Sequence, residues 1–243
     1  MTKFPVPLLL LACLFCAFPL TAQPPDYDPQ EYERGGMEEI TPRKRNGGYG
    51  YFSIGYQSMQ LTALNERLQQ FGYPTHTGSG LSTGGGGIAV IKNVVIGGEG
   101  WALSGGDQKS DGYLSTWSGG GGIFHVGYMF GKRKMSIYPL IGFGGVGNSV
   151  KIRPDGGSMA FDTLLTRPGQ GVEISGGGAV MSFSLNSEFK VGKAPLYVFG
   201  WQAGWIQGIG KTTWNAQETT LTNGPELKQQ GWYVRLKIGA GVY

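Results

Sequence analysis

Charge, cysteine, histidine and long apolar runs are all scarce in this chain of 243 residues. Only 15% of its residues are charged, the net charge is +4, and nothing resembles a nucleic-acid-binding module. Nucleic acid is therefore not expected as a partner. Both cysteines, Cys13 and Cys16, fall in one apolar stretch near the start, and the only histidines are His76 and His125. Isolated histidines among scattered carboxylates do not make a metal centre, so no metal and no cofactor is expected. Beyond residue 22 no stretch approaches 18 apolar residues, which excludes a transmembrane helix. Such a chain can span a membrane only as a closed β-barrel.

Glycine and aromatic rings are abundant. The chain has 45 glycines, and 12% of its residues are Phe, Trp or Tyr. The glycines follow no three-residue period, which excludes collagen. So many of them count against a helical bundle, since each interior glycine costs a helix roughly 1 kcal/mol relative to alanine. The ring content excludes a disordered chain. An all-β protein remains.

Lys3, the run LLLLACLFCAF over residues 8–18 and the small residues before Ala22 describe a secretory signal peptide over residues 1–22. The rival is a lipoprotein acylated at Cys13, but the apolar run continues past that residue to Phe18. Residues 23–47 are polar and proline-punctuated and read as a flexible periplasmic leader. The cluster Arg43, Lys44, Arg45 within it reads as a solvated charge run, with contact to anionic lipid as the alternative. Residues 48–243 form the barrel.

Eight segments have strand character: 49–57, 81–91, 94–103, 113–129, 135–151, 172–189, 196–210 and 231–243. In the seventh, Tyr197, Phe199, Trp201, Ala203 and Trp205 share a face opposite Gly200, Gln202, Gly204 and Gly208. In the fifth, Pro139 and several glycines predict a bulge or barrel corner. Short joins at 92–93, 130–134 and 190–195 alternate with long ones at 58–80, 104–112, 152–171 and 211–230. In an antiparallel meander this puts all long joins at one end. It predicts an eight-stranded antiparallel up-and-down transmembrane β-barrel. Within the first long join, Leu61, Leu64, Leu68 and Phe71 recur at helical spacing with Gly72 behind them. They predict a short amphipathic helix over 61–71, packed on the rim or acting as a lid or docking element.

Alternation also sorts the interior. Phe124, Val126, Tyr128 and Phe130 face lipid, which turns His125 inward; Glu99 turns inward because a charge facing hydrocarbon is unfavourable. Tyr51, Ser53, Gln57, Ser182, Ser184, Asn186, Glu188, Gln202, Arg235 and Lys237 join them. An enzymatic reading makes His125 a general base, Ser182 or Ser184 a nucleophile and Glu99 the orienting acid. No local histidine or serine motif supports it, and no catalytic residue is assigned. The glycine runs at 84–87 and 119–122 lack the Gly-Lys-Ser/Thr of a phosphate loop and read as packing devices. Isolated charges in a narrow interior favour pairing. Strand depth predicts a polar network of Glu99, His125, Gln202, Arg235 and Lys237, in which Glu99 pairs with Lys237 or Arg235 and Glu188 lies lower.

The signal peptide, eight amphipathic strands, loop asymmetry and terminal aromatic Tyr243 resemble the small outer-membrane β-barrel family of Gram-negative bacteria, over residue 49 to the C-terminus. The resemblance implies a place in the cell outer membrane, contact with its lipid and lipopolysaccharide, and recognition of the C-terminal strand by the outer-membrane assembly machinery. It implies no catalytic residue, because that family shares architecture rather than chemistry. One departure is that Tyr243 shares its face with Gly241, Gly239, Lys237 and Arg235 rather than with apolar residues. Function reads as structural or surface-interacting, with a lumen plugged by side chains and no identified extracellular partner. The alternatives are a porin-like small-solute pore, a barrel that transports a hydrophobic ligand, or a soluble exported barrel of lipocalin type with its rings turned inward.

Overall fold

The computed structural model describes residues 45–110, 112–131, 134–156, 171–192, 196–216 and 219–242. The signal segment, most of the leader and Tyr243 lie outside the described residues. Among those described, eight antiparallel strands close on themselves: β1 (Asn46–Ser58), β2 (Ser79–Ile91), β3 (Val94–Ser110), β4 (Tyr113–Tyr128), β5 (Met135–Pro154), β6 (Val172–Val191), β7 (Leu196–Gly208) and β8 (Gly231–Val242). Each strand pairs with its sequence neighbours, and β8 returns to pair with β1. From His125, the paired rows run through Gly142, Ser182 and Ile206 to Gly231 in one direction. In the other they run through Gly97, Ile88 and Tyr49 to Gly241. The two ends meet on β8 about ten residues apart, the stagger that tilts the strands of a small closed barrel.

The connections sort by end. At one end β2 turns into β3 through Lys92 and Asn93, both at positive φ, the two-residue turn whose twist suits a hairpin. The connections from β4 to β5 and from β6 to β7, also short in sequence, lie at this lower end. The upper end carries the long connections after β1, β5 and β7. The join expected as a loop over 104–112 is different: β3 and β4 run on as a hairpin to Ser110 and Tyr113. Three steps from Ser104 to Asp107 face two on β4, so a bulge with Gly106 at φ +80° absorbs an extra residue and the ladder resumes. Gly105 and Gly106, inside the expected join, form that bulge. The irregularity expected in the fifth strand does not occur, since β5 pairs without a shift from Met135 to Ile152 along β6. Pro139 faces Leu185 on β6 and falls in the gap of the other ladder, between the pairs Gly127–Leu140 and Phe130–Ile137.

Helix α1 spans Thr62–Gln70 and ends at Gly72, whose φ of +75° suits glycine. Leu61, Leu64 and Leu68 are buried in the upper core, while Phe71, expected on the same face, is 66% exposed. Asn46 and Gly47, assigned above to the leader, already belong to β1.

Inside, two apolar clusters bracket a polar layer. The upper one joins Trp101, Leu103, Trp117, Val146, Trp214 and Tyr233 to the α1 leucines. The lower one holds Tyr49, Tyr51, Val90, Val95, Tyr138 and Val198. Inward glycines make room for indoles. A Cβ on Gly176 would come within 2.6 Å of the Trp214 ring, and one on Gly121 within 2.9 Å of the Trp101 ring.

Outside, Tyr197, Phe199, Trp201 and Trp205 are exposed on β7, and Val234, Leu236, Ile238 and Val242 on β8. The soluble-barrel alternative required those β7 rings to point inward; they do not. One stretch of the outer wall lacks side chains. Gly85, Gly100, Gly122 and Gly145 form one outward row, with Gly120, Gly147 and Gly177 in the next. A Cβ on Gly147 would meet nothing within 4 Å. Ser118, Ser149, Ser175 and Asn215 continue this surface upward along a shallow groove of about 390 Å³.

Candidate functional site

The polar layer of the lumen is built by strand parity. Each inward polar side chain occupies every second position of its strand, flanked by outward apolar ones. Glu99 on β3 and Arg235 on β8 are both almost wholly buried, and Arg235 Nη1 lies 3.1 Å from Glu99 Oε1. Gln202 Nε2 donates to the same oxygen at 3.3 Å, and the Tyr51 hydroxyl donates to Glu99 Oε2 at 3.0 Å. The guanidinium also donates to Gln57 Oε1 at 2.8 Å. Its carbon lies 4.6 Å from the Trp101 ring centroid and 4.4 Å from that of Tyr233. A buried ion pair repays its desolvation only with good geometry and further hydrogen bonds; this one has both.

A second carboxylate lies lower. Glu188 accepts from the Tyr49 hydroxyl at 2.6 Å and from Tyr138 at 3.0 Å, and pairs with Lys190 at 2.9 Å. Lys190 was read above as part of a turn. It continues β6 instead, two positions beyond Glu188 and therefore on the same face. Lys237 does not pair with Glu99. Its ammonium donates to Asn186 Oδ1 at 2.5 Å and to the Tyr138 hydroxyl at 3.3 Å, and lies 4.8 Å from the Tyr51 ring centroid. The ring faces and a carboxamide oxygen supply this buried cation with partial negative charge. The residues that sequence patterning left out, Tyr49, Tyr138, Tyr233 and Trp101, all sit at inward parity. The available signal was that parity, which also hides them because aromatic residues suit either wall.

His125 is buried within electrostatic reach of Glu99, Lys237 and Arg235, and its Nε2 has no hydrogen-bond partner. Glu99 is occupied by Arg235, Gln202 and Tyr51 rather than orienting His125. Ser184 accepts from Asn186 Nδ2 at 3.1 Å. His125 Nε2 is thus hydrogen-bonded to none of Glu99, Ser182 and Ser184. Among the described residues no group of three or more His, Cys, Asp or Glu side chains is placed to hold a metal ion.

The lower mouth carries one further polar arrangement. Arg45 N donates to Asn93 Oδ1 at 3.0 Å, and Asn93 N donates back to Arg45 O at 3.2 Å. The Arg45 guanidinium reaches the opposite side of the barrel, donating to Ser136 Oγ at 2.8 Å and to the Gly131 carbonyl. Lys190 donates to that same hydroxyl at 3.4 Å. This cation is half-buried and hydrogen-bonded across the mouth rather than a free member of a charge run; Arg43 and Lys44 lie outside the described residues.

No protein-family model matches the sequence, and no curated protein matches it. Among solved structures the chain is similar to a major outer membrane protein from Thermus thermophilus, with 10% identity and a TM-score of 0.46. That alignment covers 79% of this chain and 98% of the other. It is also similar to the outer membrane protease OmpT from Escherichia coli, at 9% identity and a TM-score of 0.29, covering 83% of this chain and 96% of that one.

Proposed function

We propose that this chain is an integral outer-membrane β-barrel protein with a structural or surface-interaction role, not an enzyme, whose lumen is plugged by its own side chains. The observation that carries the reading is the opposition of its two faces. Arg235, Lys237, Glu99 and Glu188 are buried inside, while Phe52, Leu236, Ile238 and Phe124 are more than half exposed outside. On β8 the outward residues run from Trp232 to Val242. Ten steps of about 3.3 Å, tilted by about 40°, rise about 25 Å, the height of the apolar band of a membrane barrel. Tyr56 packs at a tilt against Trp232, ring centroids 5.5 Å apart, near the upper rim, and Tyr128 against Phe130 at 5.0 Å near the lower. Aromatic girdles at two levels suit the two membrane interfaces.

In this reading the band contacts outer-membrane lipid and lipopolysaccharide, the C-terminal strand is read by the assembly machinery, and the long connections face outward. The layered ion pairs and indoles support a plugged lumen. Membrane fractionation tests the first part: retention in the outer-membrane pellet through carbonate and high-salt washes is expected, and release would overturn it. Planar-bilayer recording tests the second, where no steady conductance is expected. A steady conductance, or an apolar ligand that copurifies in stoichiometric amount, would favour transport instead. Deleting residues 212–228 should abolish any surface phenotype while the eight-stranded ladder still forms, with stability lowered because Trp214 and Leu227 leave the upper core.

A further inference from the structure

The upper mouth contains a buried titratable group that the lumen network does not use. His76 follows α1 in the connection between β1 and β2 and is 4% exposed. Asn65 of α1 clamps its backbone from both sides: Nδ2 donates to the His76 carbonyl at 2.7 Å, and His76 N donates to Oδ1 at 2.9 Å. The ring reaches the other way, with Nε2 2.9 Å from Ser115 Oγ on β4. His76 is therefore a side-chain link between α1 and the barrel wall, beside the edge-on contact of Tyr73 with Tyr113 on β4 at 5.1 Å, and its Nδ1 is buried without a partner. Elsewhere the segment is fastened by backbone bonds, Met59 N to Gly78 O and Gln60 N to Gln230 O. It rests on the apolar contacts of Leu61, Leu64 and Leu68 with the upper core.

We propose that α1 is a lid on the upper mouth, latched by neutral His76 and released when His76 takes up a proton. A neutral ring that donates from Nε2 to Ser115 leaves only an uncharged acceptor unpaired at Nδ1, the smaller cost. A protonated ring carries a second N–H donor at Nδ1, which finds no acceptor in the docked loop, and a buried charged donor without a partner is costly. The surroundings offer little compensation. α1 presents neutral Asn65, while its Glu66 and Arg67 are exposed; β4 presents neutral Ser115, with Tyr113 half-exposed above it. On β3, Asp107 acts on the ring but already accepts from the Thr116 hydroxyl at 2.6 Å, and Lys109 is engaged by Asp155. Burial pushes the docked His76 below its ordinary 6.5, and Asp107 opposes this only in part. The docked state is thus fully favoured above pH 6.5 and weakens as the pH falls below it. One proton shifts the opening equilibrium by at most tenfold per pH unit, so moving from about pH 7.5 to about pH 5 favours opening by up to about 30-fold.

Hydrogen exchange on the full chain in micelles, corrected for intrinsic rates, tests this. Opening of residues 62–78 should rise by up to about 30-fold at the lower pH, while the amides of β1 to β8 stay protected. In His76→Gln that pH dependence should vanish, whereas Asp107→Asn should retain it. No change at residues 62–78, or the same rise in His76→Gln, would overturn the proposal. Should His76→Gln fail to fold, the wild-type comparison decides alone. Selective loss at residues 62–78 supports the latch, and loss shared with the strands sinks it.

Discussion

The Trp117 indole occupies the place where Gly105 would carry a Cβ, so the two residues fit only as a pair. Gly105 belongs to the bulge of β3, and Trp117 lies 1% exposed on the neighbouring strand. The lumen repeats the device at Gly121 under Trp101 and at Gly176 under Trp214. Inward glycine here is a socket for a ring rather than a loose point in the wall.

Filling a socket should therefore disrupt packing where filling an outward gap does not. Gly105→Ala should lower barrel stability by about 1–3 kcal/mol, the usual cost of overpacking. Gly147→Ala, in open space, should stay within about 0.5 kcal/mol of the wild type. Urea unfolding in vesicles compares them directly, and equal effects would count against the socket.

Glu99→Gln removes one side of a buried pair and leaves Arg235 uncompensated. A loss of about 3–5 kcal/mol is expected. Combining it with Arg235→Met should recover much of that loss, read as a coupling energy in a double-mutant cycle. Strict additivity of the two single effects would show that the pair does not act as a unit.

Arg45→Ala should leave bilayer conductance at baseline. The Glu188–Lys190 and Glu99–Arg235 layers lie above Arg45 in the same lumen. A steady current in this variant would make Arg45 the principal seal and overturn the layered plug.

Leu236→Arg places a charge on the outer face of β8, at a residue 62% exposed between Val234 and Ile238. In a bilayer it should cost about 2–4 kcal/mol, measured as the shift in folding into vesicles. A neutral outcome would mean that this face meets water.

Much of the fold was legible because strand parity is a local property. The alternations in segments 172–189, 196–210 and 231–243 sorted the two walls without reference to partners. What parity does not contain is stagger. Whether Glu99 meets Arg235 or Lys237 depends on the shift of about ten residues around the closed barrel, to which each paired row contributes. Lys190 was missed for a different reason. The run KVGKAP has the composition of a turn, and only the ladder to Val191 shows that the strand persists through it. The 104–112 hairpin was hidden in the same way, by glycines whose conformational freedom serves a bulge.

The bare outward row of Gly85, Gly100, Gly122 and Gly145 would make the barrel's grip on a bilayer one-sided at that level. A large apolar side chain moved from water into hydrocarbon gains about 1.5–3 kcal/mol, and a glycine gains almost none of that. In that row β7, β8 and β1 offer Phe199, Ile238 and Phe52, while β2 to β5 offer paired backbone alone. In a bilayer, insertion energy along this row would fall on one flank, and lipid on the other flank would meet a thinner wall.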